Sequence, residues 1–95
     1  MDIKALLEAI RITSGKLDAA KRMIEICDTD FHKGGVYTDP LRGREVFLPI
    51  EKERIRELAI FQKQALEANL AVLEDAKQTA ERIIAGLLTE NKTSA

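Results

Sequence analysis

The chain has 95 residues, which is enough for one small domain. Its 15 Lys and Arg residues nearly balance 16 Asp and Glu residues, which argues against a strongly basic nucleic-acid binder. A single cysteine excludes an internal disulfide, and a hydrophobic content of 45% excludes a chain that is disordered by composition. No apolar run is long enough to span a membrane and no basic-then-apolar signal opens the sequence, so we expect a soluble, cytoplasmic protein.

Composition divides the chain into three parts and predicts one domain over residues 1–90. Residues 2–29 and 50–89 each contain no proline and a single glycine, and they predict two helices. Residues 30–49 hold three of the five glycines, both prolines and three of the four aromatic residues, so they predict an insert between the helices. The small and polar residues at 91–95 predict a frayed C-terminal tail.

The first predicted helix carries a seven-residue apolar repeat. One line contains Ile3, Ile10, Leu17, Ile24 and Phe31, and its companion contains Leu6, Thr13, Ala20 and Cys27. This spacing is typical of a helix that packs along one seam, and Asp2 is placed to cap its start. Thr13, Ser14 and Gly15 all lower helix propensity. We favour one continuous helix, and the alternative is two short helices with Ser14 capping the second.

The second predicted helix opens at Pro49, which suits a first helical position because its missing N–H would have no partner there. Glu51 and Glu53 place negative charge at the positive end of the helix dipole. Three lines of residues at helical spacing make up its largely apolar side: Ala59, Leu66, Leu73, Ala80 and Leu87; Gln62, Asn69, Ala76 and Ile83; and Leu58, Phe61, Ala65, Ala68 and Val72. Together they cover an arc of roughly 200°, which is more than one neighbouring helix can bury.

The predicted fold is therefore mainly all-α. Two long antiparallel helices form a helical hairpin or coiled coil, with a small β-hairpin or loop between them. Because two helices cannot enclose a core, we expect several chains to assemble into a helical bundle, although the insert folding back is the alternative cover. The predicted oligomer interface contains Phe61, Gln62, Leu66, Asn69 and Leu73. The two amides either fix the register of the bundle or lie at a wet edge of the seam.

The insert predicts a β-hairpin. Residues 36–38 and 45–48 are rich in β-branched and aromatic residues, as strands are. Between them, Pro40 suits a type I turn and Gly43 suits the left-handed conformation that closes a bulge. Because an isolated two-stranded hairpin is marginal in water, we expect four rings to pack together: Phe31, Tyr37, Phe47 and Phe61.

Catalysis is not expected from the ionisable residues. Cys27, Asp28, Asp30 and His32 lie close together, but a single Cys and a single His do not have the paired spacing of a zinc site. Lys33 stands where a calcium loop beginning at Asp28 would need glycine. Cys27 belongs to an apolar line, where a thiol behaves as a small hydrophobe. We therefore predict no enzyme, no metal and no cofactor.

Function follows by elimination. The first hypothesis is a non-enzymatic homo-oligomeric interaction protein, such as an adaptor, inhibitor or assembly factor, that binds another macromolecule, most simply a protein. The alternative is an oligomeric binder of a small anionic ligand such as a nucleotide, since arginines bind phosphates and aromatic rings stack on bases. The predicted binding residues are Lys33, Tyr37, Arg42, Arg44, Phe47 and Arg54. Nucleic acid is disfavoured by the balanced charge, and no membrane partner is expected.

Overall fold

Two helices and one small antiparallel sheet make up the chain. The computed structural model describes residues 2–93, with side chains described over residues 2–87. The elements follow the order α1 (Ile3–Thr29), β1 (Gly35–Thr38), β2 (Val46–Pro49) and α2 (Lys52–Thr93). The helices pack extensively against each other, and the two strands pair with each other. This arrangement confirms the predicted helical hairpin with a β-hairpin insert.

Helix α1 begins and continues as its sequence predicts. The Asp2 carboxylate accepts a hydrogen bond from the Ala5 N–H at 2.7 Å, which caps the first turn. The helix passes through Gly15 without interruption, so the prediction of one continuous helix is confirmed. Thr13 is buried in the seam between the helices. This stretch is helical despite its low helix propensity because packing stabilises it. The helix ends where the Asp30 N–H donates to the Ile26 carbonyl at 2.9 Å.

The seam between the helices follows the predicted heptad lines. On α1 the buried residues are Leu6, Thr13, Leu17, Ala20 and Cys27. On α2, Ala59 is buried, and Leu66, Leu73 and Ala80 are half-buried. Near the insert, Arg56 donates from Nε to Asp28 Oδ1 at 2.7 Å and joins the C-terminal end of α1 to the first turns of α2. This contact raises the pKa of Arg56, chiefly through the hydrogen bond.

Helix α2 is longer than α1 and leaves its far end uncovered. With 42 residues against 27, it extends for about 60 Å beside a helix of about 40 Å. Because the two helices are joined in register by Arg56 and Asp28, the excess lies at the C-terminal end of α2. Ile83 and Leu87 are accordingly more than half exposed. Within residues 2–93, neither helix combines the length and the apolar character that a membrane-crossing segment needs.

The start and end of α2 differ from the prediction. Pro49 is not the first helical residue: it pairs with Gly35 at the end of β2, and the Ile50 N–H donates to the Gly34 carbonyl at 2.9 Å. The helix begins at Lys52, after the Glu51 carbonyl accepts the N–H groups of Arg54 and Ile55. Cross-strand pairing therefore outweighs the local preference of proline for a helix start. At the other end α2 continues to Thr93, beyond the predicted helix end at residue 89, and residues 94–95 of the predicted tail lie outside the described residues.

The predicted β-hairpin forms, and its register places Tyr37 opposite Phe47 and Val36 opposite Leu48. Gly43 has a φ of 100°, a conformation that L side chains rarely adopt, as the turn prediction requires. Gly35 also has a strict role, since a Cβ there would lie 2.0 Å from the Leu48 carbonyl oxygen. Close approach of the two backbones therefore depends on this glycine.

The aromatic residues do not form the single packing cluster that was predicted. Phe31 is half-buried beside Gly34, whereas Tyr37 and Phe47 pair across the strands and remain about half exposed. Phe61 lies on α2 and is 65% exposed. The strands have few contacts with the helices, so their side chains pack mainly on each other. The hairpin is consequently an exposed arm, defined here as residues 35–49.

A single chain has a thin core for its size. Its accessible surface is 7860 Å², whereas a compact monomer of 10.6 kDa exposes about 5,500 Å². Its radius of gyration is 20.3 Å, against roughly 12 Å for a globular chain of this length. Its dimensions are 66 × 35 × 17 Å. The surplus of about 2,400 Å² is larger than the ~800 Å² that each partner contributes to a standard protein–protein interface.

Candidate interaction surfaces

A groove lies where the end of α1, the base of the arm and the start of α2 meet. It has a volume of about 650 Å³, within the range of small-molecule sites. Its walls are mainly apolar and include Met23, Ile26, Phe31, Val36, Ile55 and Leu58. We call it the junction groove, because each of the three segments supplies part of its lining.

The charged residues of the junction groove are all cationic. Arg22, Lys33 and Arg54 line it, and none of its lining residues is acidic. Arg22 is paired with Glu25 at 3.1 Å. Lys33 and Arg54 form no ion pair with any described side chain. The groove therefore presents two uncompensated positive charges beside an apolar surface.

The backbone holds these two cations in place. Lys33 precedes Gly34, whose carbonyl accepts the Ile50 N–H. A Cβ added to Gly34 would lie 2.7 Å from Ile55 Cδ1 and 3.3 Å from Phe31 Cε2. Arg54 lies in the first turn of α2, where its N–H donates to the Glu51 carbonyl at 3.1 Å. Arg54 thus extends from hydrogen-bonded backbone and Lys33 from the residue before a hydrogen-bonded one, although the two residues are far apart in sequence.

A second surface continues from the groove along the helices. Ala19, Met23, Leu58 and Gln62 line a shallower depression on the same side of the helix pair. Helical periodicity continues this side of α2 through exposed residues that include Ala65, Asn69 and Val72. Val72 is 67% exposed and Leu58 is 55% exposed. We call this surface, with Ile12 on α1, the open face.

The opposite side of α2 has a different character. Lys63 pairs with Glu67 at 3.2 Å and Lys77 pairs with Glu81 at 3.9 Å. These ion pairs are typical of a helix face in water. The open face has apolar side chains, two amides and one cation, Lys16, which also lines the depression. The helical hairpin is thus amphipathic across its thickness.

The arm is the third surface. All residues of β1 and β2 are exposed, and Leu41 at the turn is completely exposed. The Tyr37 hydroxyl interacts with the Glu45 carboxylate, and this hydrogen bond raises the pKa of Tyr37. Arg42 and Arg44 have no ion-pair partner among the described side chains. The arm therefore combines exposed apolar side chains with two free guanidinium groups.

The structure divides the predicted binding residues between two places. Lys33 and Arg54 come together at the junction groove. Tyr37 and Phe47 form one cross-strand pair, on the strand face opposite the groove-lining Val36. The two remaining predicted residues, Arg42 and Arg44, lie at and just after the turn of the arm.

The predicted oligomer-interface residues also divide. Leu66 and Leu73 are half-buried on the side of α2 that packs on α1, whereas Gln62 and Asn69 lie on the open face. Phe61 is exposed beside that face. The open face therefore includes residues that the sequence analysis did not select, among them Met23 and Ile12. Their signal was present as apolar spacing on a second side of α1: Ile12, Ala19, Met23 and Ile26.

The cysteine and histidine cluster is dispersed. Cys27 is a free, buried thiol in the seam, while Asp28 pairs with Arg56 and His32 is exposed. Among the described side chains, no three His, Cys, Asp or Glu residues come close enough to hold a metal ion.

Comparisons with known proteins give no relative from which a role could be transferred. No family model, curated protein or solved structure matches the chain.

Proposed function

We propose that this chain is a non-enzymatic, homo-oligomeric interaction protein that binds another macromolecule. The observation that carries the proposal is the surplus surface, about 2,400 Å² beyond that of a compact monomer of the same mass. The exposed apolar side chains of the open face include Met23, Leu58 and Val72. A second copy of the chain is the simplest cover, because a twofold pair matches the same surface on both subunits.

The amides support this assembly. Gln62 and Asn69 lie two turns apart on the open face, among alanines and apolar residues. Between two copies, each amide can both donate and accept, so one side chain can satisfy the other. Such pairs set the register of helical bundles. The interface between copies would then be largely apolar, and the amides would fix its register.

The arm is proposed as the contact with the other macromolecule. An isolated two-stranded hairpin is marginally stable, and this arm receives little support from its own helices. A partner protein with an acidic patch would cover its apolar side chains and neutralise Arg42 and Arg44.

The test compares two adjacent substitutions on α2. Val72→Glu places a carboxylate on the open face, and Ala71→Glu places the same group about 100° around the helix, on its outer side. Both residues are exposed in the single chain, so neither change disrupts the helical hairpin. Sedimentation equilibrium measures mass and circular dichroism measures helix content.

We expect the native chain and Ala71→Glu to have the same mass, at least twice 10.6 kDa. Val72→Glu should reduce association at least about tenfold, because a carboxylate without a partner is strongly unfavourable in an apolar interface. A native chain that is monomeric would contradict the proposal. So would a Val72→Glu variant with unchanged mass.

The second candidate function is an oligomeric binder of a small anionic ligand such as a nucleotide. The junction groove favours it, since Lys33 and Arg54 lack partners there. The sequence hypothesis placed this ligand against Tyr37 and Phe47. The groove gives it a different position.

A further inference from the structure

We infer that the junction groove is a nucleotide-binding site, in which Lys33 and Arg54 bind phosphate and the base lies against the apolar wall at Phe31. This inference rests on the groove of a single chain and not on assembly through the open face. It also differs from the sequence hypothesis, because neither the Tyr37–Phe47 pair nor the arginines of the arm take part.

The charged residues that line the groove indicate which anionic group the ligand carries. Two cations without partners, and no acidic lining residue, favour a ligand with at least two negative charges. A phosphate monoester satisfies this requirement, and guanidinium groups bind its oxygens through paired hydrogen bonds. A fatty acid would match the apolar wall but supplies only one charge.

The apolar wall of the groove indicates the chemistry of the remaining part of the ligand. Phe31 is half-buried at the base of the arm, where its ring would lie 3.3 Å from a Cβ added to Gly34. A ring of this kind offers a stacking surface for a base, while Met23 and Leu58 offer polarizable and apolar contacts beside it. The volume of about 650 Å³ accommodates a ligand of that size.

The geometry is also formed before the ligand arrives. The Ile50 N–H to Gly34 carbonyl bond closes the base of the arm, and the Arg56–Asp28 pair fixes the ends of the two helices. The backbone around Lys33 and Arg54 is therefore in place before a ligand binds, which lowers the ordering cost of binding.

The test measures binding by calorimetry and by thermal shift. The probes are the monophosphates and triphosphates of adenosine, guanosine, cytidine and uridine, together with cyclic dinucleotides. Adenosine, inorganic phosphate and laurate serve as comparison compounds. We expect at least one nucleotide to bind, and to bind at least about tenfold more tightly than its nucleoside or phosphate alone.

Two double variants with the same loss of charge locate the site. Lys33→Gln with Arg54→Gln should weaken nucleotide binding at least about tenfold, whereas Arg42→Gln with Arg44→Gln on the arm should leave it within about twofold. Phe31→Leu provides an independent variant, and loss of stacking should weaken binding by about fivefold or more. All variants are compared at equal helix content by circular dichroism.

Several results would overturn the inference. These are no binding by any nucleotide probe at millimolar concentration, binding of laurate without nucleotides, or an equal loss in both double variants. Mass is measured on the same samples, so a monomer that binds nucleotide would contradict the proposed assembly and leave this site intact.

Discussion

Tyr37 reports directly on the structure of the arm, because it is the single tyrosine of a chain without tryptophan. Its pKa is raised above the usual 10.0, first by its hydrogen bond with Glu45 and then by desolvation. The folded chain therefore holds the phenolic proton more tightly than the unfolded chain does. The resulting stabilisation is complete below pH 10 and is lost as the pH rises through the raised pKa.

We predict that ultraviolet titration of the tyrosinate band gives a pKa above 10.0 in the native chain. Glu45→Ala should return it toward the ordinary value, because the carboxylate that favours the protonated phenol is removed. The control is Asp39→Ala, which removes a charge from the other end of the turn. Equal titration of the native chain and Glu45→Ala would show that the contact does not form in solution.

Substitutions at the neighbouring residues Leu73 and Val72 distinguish an effect on folding from an effect on assembly. Leu73 is half-buried on the α1 side of α2, whereas Val72 is 67% exposed on the open face. Leu73→Asp should reduce the free energy of unfolding by about 2–4 kcal/mol, because it introduces a charge into the seam between the helices. Urea unfolding at constant protein concentration measures this loss. A Leu73→Asp variant with the native midpoint would mean that the seam is wrongly assigned.

At the scale of elements, the helices were predictable because their signal is local. The companion heptad line on α1 predicted the buried residues Leu6, Thr13, Ala20 and Cys27, and a capping Asp2 predicted the helix start. Because Thr13 and Gly15 lower helix propensity, the sequence did not decide whether α1 is one helix or two. Packing on α2 favours one continuous helix, and helix propensity contains no information on that packing.

The junction between elements was less predictable because it depends on distant residues. Pro49 suits a helix start, but its place opposite Gly35 becomes visible only when the strands pair. The junction groove combines Met23, Lys33 and Arg54 from three segments. Lys33 and Arg54 are recognisable from the sequence as candidate binding cations, but the other four predicted binding residues lie on the arm.

The arm yields a prediction about recognition. Arg42→Ala with Arg44→Ala should leave the melting temperature and the mass nearly unchanged, since exposed arginines without partners contribute little to folding, typically within about 0.5 kcal/mol. Affinity for the macromolecular partner should fall at least about tenfold, or about 1.4 kcal/mol. Both are measured on one preparation, by calorimetric unfolding and by titration with the partner.

Either of two other results would revise the role of the arm. A much lower melting temperature would make the arginines structural. Unchanged stability with unchanged affinity would reduce the arm to a connector and move the recognition surface to the helices.

At the scale of the whole molecule, the central claim is that one chain does not complete its own core. Five apolar residues are buried among the described side chains, namely Leu6, Leu17, Ala20, Cys27 and Ala59. Other apolar side chains of α2 include Leu66 and Leu73, which are half-buried against α1, Leu58 and Val72, which are exposed on the open face, and Ile83, which is exposed at the uncovered end. Stability should therefore come largely from contacts between copies, as it does in obligate oligomers.

The most direct measurement is the dependence of unfolding on protein concentration, followed by circular dichroism in urea. If copies complete the core, the midpoint rises with concentration, and for a dimer each tenfold increase adds about 1.4 kcal/mol to the stability of the folded pair. Cooperative unfolding with the same midpoint at all concentrations, from a species of 10.6 kDa, would contradict the account.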